Sequence, residues 1–142
     1  MASRQTAVDA IMGEFSTYWG ANATGTPPIT WGGLPYDPPD DLTPWTRCTI
    51  VHGDSDIVTL GAVGNRVWRT AGAVIVQVFT NVNLSRQPSD DLVETAIDAF
   101  RGKSVGTDPA VRFRKITAKE VGADGPWFQQ NVTIMFDYDE TA

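Results

Sequence analysis

The chain has a single cysteine and a single histidine, Cys48 and His52. A lone thiol makes no intramolecular disulfide, which excludes the cross-linked scaffold of a small secreted domain. No apolar run approaches the roughly 18 residues of a membrane span. The first residues, MASRQTAVDAIMGEF, are helical in pattern and lack the continuous apolar core of a signal peptide, so the N-terminus reads as mature. GxSxG, HExxH and CxxC are all absent. Cations are scarce too: 11 Lys and Arg stand against 17 Asp and Glu, a net charge of −6 and a pI near 4.5. That balance argues against duplex nucleic acid held by neutralised phosphates. What remains is ordinary for a folded soluble domain, 42% hydrophobic and 20% charged. At 142 residues the chain fits one domain, 1–142, with a core that needs no metal or disulfide.

Arg66 to Asp98 organises the rest. Gly72 to Val82 is dense in β-branched and aromatic residues, with Val74, Val76 and Val78 on one face and Ile75 and Phe79 on the other. Being apolar on both faces, it predicts a central strand covered on both. Gly72 marks an expected bulge or bend. A helix follows, with Ser89 as its expected N-cap, Asp90 and Asp91 at its positive end, and Leu92, Val93, Ala96, Ile97 and Phe100 at helical spacing. Gly102 is the expected C-cap, opening a loop over residues 101 to 110.

Upstream, residues 4 to 19 place Ala7, Val8, Ile11, Met12, Phe15, Tyr18 and Trp19 on one helical stripe, capped by Ser3 and stopped by Gly20. Residues 20 to 44 hold most of the nine prolines and one short strand candidate, Ile29 to Trp31. Their aromatics Trp31 and Tyr36 are either pinned to the core or displayed for a partner. Trp45 to Gly53 alternates as a strand, and Asp54 to Gly64 reads as a hairpin. Val111 to Val121 and Trp127 to Tyr138 are strands joined by an Asp-Gly turn, and Asp139 to Ala142 is an acidic tail expected to fray. The sum is an α+β domain: a mainly antiparallel sheet of about four to five strands with two amphipathic helices packed on one face.

Chemistry is sparse. Cys48 and His52 share a strand face but lie roughly 13 Å apart by strand rise, too far for a nucleophile pair or a shared metal. His52 with Asp54 and Asp56 lacks a fourth ligand and reads as solvated hairpin charge. Gly61 to Arg66 lacks the lysine and the strand-loop-helix context of a phosphate cradle. No catalytic, cofactor-binding or metal-ligating residues emerge, and an enzyme is not expected. Three Asn-x-Ser/Thr matches, at Asn22, Asn83 and Asn131, have no secretion signal to give them meaning. Arg112, Arg114, Lys115 and Lys119 make one strand basic, which suits either a solvated stripe, an edge guarded against pairing, or an acidic neighbour.

Several blocks carry a resemblance: the first helix, ITWGGLPYDPP, the strand opening at Trp45, RVWRTAGAVIVQVFTNVN, SDDLVETAIDAFRGK and the closing NVTIMFDYDE. In this order, over nearly the whole chain, they resemble the small tail-terminator (tail-completion) proteins of long-tailed bacteriophages. The resemblance implies a non-enzymatic virion protein with a mixed α/β fold related to tail-tube proteins and no cofactor. It implies a hexameric ring of self-copies on the finished tube of major tail protein. Such a ring ends tube growth and docks the head–tail connector or neck protein. It implies a place at the head-proximal end of the virion tail, with assembly in the host cytoplasm. DNA would pass through the lumen without sequence-specific binding, and no membrane is involved. The alternatives are another neck or minor tail protein, or, from a different class, a small-ligand domain or enzyme.

A closing ring needs two complementary patches on each subunit. Aromatics and arginines are the residues enriched at such contacts. The candidate interface residues are therefore Trp31, Tyr36, Asp54, Asp56, Arg66, Arg69, Arg112 and Arg114. Trp45 and Trp68 serve equally well as core. The Asp54 to Gly64 hairpin is expected to line or overhang the lumen, its Asp54 and Asp56 helping to repel passing DNA.

Overall fold

A computed structural model describes residues 3–107 and 110–142. The element order is α1 (Ser3–Asn22), β1 (Ile29–Trp31), β2 (Trp45–Ile57), β3 (Val67–Asn81), α2 (Gln87–Asp98), β4 (Ser104–Val105), β5 (Val111–Asp124) and β6 (Trp127–Thr141). The protein is mostly sheet. Six strands in the order β1-β2-β3-β6-β5-β4 form one mixed sheet, curled into a half-barrel, with two helices.

This corrects the expected mainly antiparallel sheet of four to five strands. β1 pairs parallel with β2, matching Ile29 to Thr46 and Trp31 to Cys48. Parallel neighbours need a crossover of a dozen or so residues, and the Pro-rich segment between β1 and β2 supplies it without a helix. The sixth strand, β4, is two residues long and pairs with the start of β5. Alternation cannot be read in two residues, so the sequence shows it only as loop. Asp108 and Pro109 of that expected loop lie outside the described residues, as do Met1, Ala2 and the Ser3 side chain with its expected cap.

The core lies between the helices and one sheet face. α1 runs past Gly20 to Asn22. Glycine without a following break does not end a helix, and here it is exposed on the solvent side. Ala7, Ile11, Phe15 and Trp19 form its buried line at i, i+4 spacing, while Val8, Met12 and Tyr18 flank it half-buried. α2 adds Leu92, Val93 and Ala96, followed by Ala99 and Phe100. The sheet answers with Cys48, Val74, Val76, Val78, Val132, Ile134 and Phe136. Phe15 stacks on Phe100 at 5.9 Å and meets Trp31 edge-on at 6.3 Å.

α2 begins at Gln87, two residues before Ser89, with Pro88 in its first turn and no side-chain cap on Arg86. Ser89 is instead fully buried, and its hydroxyl accepts Gln130 Nε2 at 2.7 Å. Proline favours the first turn, where its missing N–H is no loss, and this moved the start forward. Gly102 has φ +72° and follows the helix through a turn.

β3 is continuous through Gly72, and the bulge falls opposite, in β2 between His52 and Ser55. A Cβ on Gly72 would overlap Val51 O and sit 2.6 Å from Phe136 Cζ. Close approach, not a bend in its own strand, is what requires glycine here. The β5–β6 loop is Gly125–Pro126, since Asp124 already pairs with Trp127. Gly125, at φ +60°, takes the first loop position, where hairpin turns favour glycine. The acidic tail does not fray: β6 runs to Thr141, and Ala142 exchanges both backbone hydrogen bonds with Arg66 at 2.8 and 3.1 Å.

Candidate assembly surfaces

Both helices contribute to the same core, so the other sheet face has no helix over it. Strand alternation places Trp45, Arg47, Thr49 and Val51 on this open face, with Ile75, Gln77 and Phe79 from β3 and Met135, Asp137 and Asp139 from β6. Central strand β3 is therefore covered on one side only.

At one end of the open face an aromatic cluster fixes the Pro-rich segment. Trp45 stacks on Phe79 at 4.1 Å, Tyr36 packs on Trp45 at 4.8 Å, and Trp127 meets Trp45 edge-on at 6.2 Å. The Arg47 guanidinium lies 5.4 Å from the Trp45 ring. On the helical side Trp19 Nε1 donates to Pro27 O at 2.9 Å, and Trp31 joins the core margin. Trp31 and Tyr36 thus pin this segment from opposite sides of the sheet, and both are half-buried.

At the other end the structure gathers three of the expected arginines. Arg69 grips Asp139 with two bonds of 2.8 and 3.0 Å. Arg112 donates to Asp137 at 2.8 Å and reaches Asp139 at 3.2 Å, and Arg114 also binds Asp137. The register builds this network: Arg69 sits across from Asp139, and Arg112 across from Asp137. The forked contact from Arg69 holds the Asp139 carboxyl below the ordinary carboxylate range. Sequence reasoning missed Asp137 and Asp139. Their i, i+2 spacing in FDYDE was the available signal, split by an expected strand end at Tyr138 that left Asp139 in the tail.

Arg66 stands apart at the hairpin base, its Nε donating to Gly61 O at 2.9 Å. Asp54 and Asp56 lie exposed on the β2 arm of the hairpin. Asp56 is across the ladder from Arg69, whose fork is already given to Asp139. Neither Asp54 nor Asp56 makes an ion pair among the described residues. The arms extend to Ile57 and from Val67, so the Ile57 to Leu60 segment is mostly loop. Trp68, on the returning arm, is half-buried.

His52 lies half-buried, edge-on to Phe136 and Tyr138 at 5.9 Å each, and burial lowers its pKa. Cys48 is in the core, where burial pushes its thiol up to about 12. Among the described residues no helix is long and apolar enough to cross a membrane.

Two long strand edges are open. β1 covers β2 only as far as Cys48, and β4 covers β5 only at Val111 and Arg112. Residues 49–57 and 113–124 therefore present backbone donors and acceptors at opposite sides of one curled sheet.

These features define a class: a six-stranded half-barrel with two helices filling one face and two free edges. No family model and no curated protein matches the chain. Among solved structures, one chain whose name states no function is similar at a TM-score of 0.77 and 15% identity, covering 100% of this chain and 99% of its own length. Another is a chain of the virion of a native gene transfer agent particle, at a TM-score of 0.53 and 13% identity, covering 99% of this chain and 98% of its own. A component of a gene transfer agent virion thus has this fold.

Proposed function

We propose that this chain is a structural virion protein of a tailed phage or phage-like particle. It forms a closed ring on the end of the tail tube, stops tube growth and offers the docking surface for the head side. The role is architectural, not enzymatic, and the partners are further copies of the chain, the tube protein and a connector protein. The observation that carries the reading is the pair of free edges on opposite sides of one curled sheet. Two different edges on one subunit suit a head-to-tail contact, and a head-to-tail contact closes into a ring when the rotation per subunit permits. The virion chain with the same fold supports the setting. The resemblance in element order to tail terminators supports the position on the tail.

Light scattering across a concentration series, followed by negative-stain imaging with purified tail tubes, tests it. Closed rings, or caps on one tube end, are the expected result. A monomer at every concentration that also ignores tube ends overturns the reading and favours a neck protein acting on the portal side.

A further inference from the structure

The two free edges are stepped in a way that lets them fit each other. β1 covers the start of β2 and leaves the stretch beyond Cys48 open, while β4 covers the start of β5 and leaves the stretch beyond Arg112 open. Each neighbour in the run β2-β3-β6-β5 is antiparallel to the last, so β2 and β5 point in opposite directions. A rotation about an axis along the strands therefore lays β5 of one copy beside β2 of the next in antiparallel sense. The start of one open stretch then meets the end of the other. β1 and β4 fall at opposite ends of the contact and do not collide.

The strand register decides which charges meet there. Asp56 is across from Arg69, which is across from Asp139, so Asp56 lies on the open sheet face. Lys115 and Lys119 are across from Met135 and Asn131, which puts them on that same face. All three side chains are exposed, and none has an ion pair among the described residues. The rotation keeps the open face on one side, so the unpaired acid of one copy comes beside the unpaired lysines of the next. Pairing like with like has the reverse effect. Two β2 edges bring Asp54 and Asp56 against their own copies, and two β5 edges bring lysine against lysine. Like charges directly across a ladder destabilise it, and opposite charges stabilise it. Charged edges guard against indiscriminate strand addition, and here the two guards have opposite sign.

We infer that the open edge of β5 in one copy pairs antiparallel with the open edge of β2 in the next, with Asp56 beside Lys115 and Lys119 on a shared open face. The occupant of each edge is a second copy of this chain, because direction, step and charge all match between the two edges and charge fails for either edge with itself. The backbone donors and acceptors left unused along both strands then bond each other, and the sheet runs on from subunit to subunit. The contact is heterologous, so it propagates around a ring instead of ending at a dimer. The inference rests on the ring reading and specifies its subunit contact.

The test compares four proteins by light scattering and by negative stain beside purified tail tubes: the parent, Asp56→Lys, Lys115→Asp with Lys119→Asp, and the chain carrying all three changes. Hydrogen exchange on the parent, below and above the assembling concentration, locates the contact without any substitution. Either reversal alone is expected to raise the concentration for half-assembly at least about fivefold, as a like-charged pair replaces an opposite one. The triple change restores assembly, and amides in 49–57 and 113–124 gain protection together. Rings or caps that ignore the single reversals, that the triple change does not restore, or that form without protection in both stretches overturn the edge pairing and leave the ring. Open multimers with both stretches protected keep the pairing and overturn the ring. No association at any concentration or on tubes overturns both.

Discussion

Gly72 is enclosed by the Val51 carbonyl on one side and the Phe136 ring on the other. Backbone does not yield as a flexible side chain does, so Gly72→Ala forces β2 and β3 apart at the bulge. The expected cost is about 1–3 kcal/mol, read as a lower urea midpoint at unchanged slope. Gly13, with nothing within reach of an added Cβ, is the internal comparison. Gly13→Ala on the solvent side of α1 is expected to stabilise by up to about 1 kcal/mol, because alanine is the better helix former. Cys48 makes a further residue-scale test. Its thiol is buried and raised to about 12, so a thiol reagent at pH 8 should leave it untouched until the protein is unfolded. Fast labelling in the native protein would contradict the packing described around β2.

At the scale of elements, the arginine–aspartate network staples the hairpin base to β6 and β5. Asp139 has a lowered pKa because Arg69 binds its charged form. A lowered carboxyl contributes stability above its unfolded value, roughly 3.9, and loses it as pH falls through the folded value. Asp139→Asn should therefore lower the thermal midpoint at pH 7, and at a pH below the folded value the variant and parent curves should converge. Unchanged midpoints at both pH values would mean that the pair is structurally idle. This network also marks how far the sequence could be read. The two helices and the four long strands have enough residues for periodicity to declare them, and Val74, Val76 and Val78 duly point into the core. β1 and β4 are too short for that, and the parallel pairing of β1 depends on which strand lies beside it, which no local pattern encodes. Ser89 carried the right residue type for a cap and was used to hold Gln130 instead. Arg69, Arg112 and Arg114 were visible as charges, but their convergence on Asp137 and Asp139 is a product of register. Trp31 and Tyr36 left two options open in the sequence, and in the fold they pack on Phe15 and Trp45 while staying half-buried.

For the whole molecule, the sheet is two hairpins joined along their inner strands. β2–β3 and β5–β6 each close locally, while β3 and β6 meet along their full length from Val67–Thr141 to Asn81–Trp127. That central seam has a kinetic consequence. Each hairpin pays for a short loop only, but the seam cannot form until α2, β4 and β5 lie between its halves. During synthesis β3 leaves the ribosome with β2 already on one side and waits, its other edge open, until the last fifteen or so residues arrive. Over that interval the most apolar strand of the chain is exposed to any passing edge, so the yield of soluble protein should depend on how quickly the final strand is delivered, and slowing translation just before Trp127 should shift newly made chains from the soluble to the pelleted fraction.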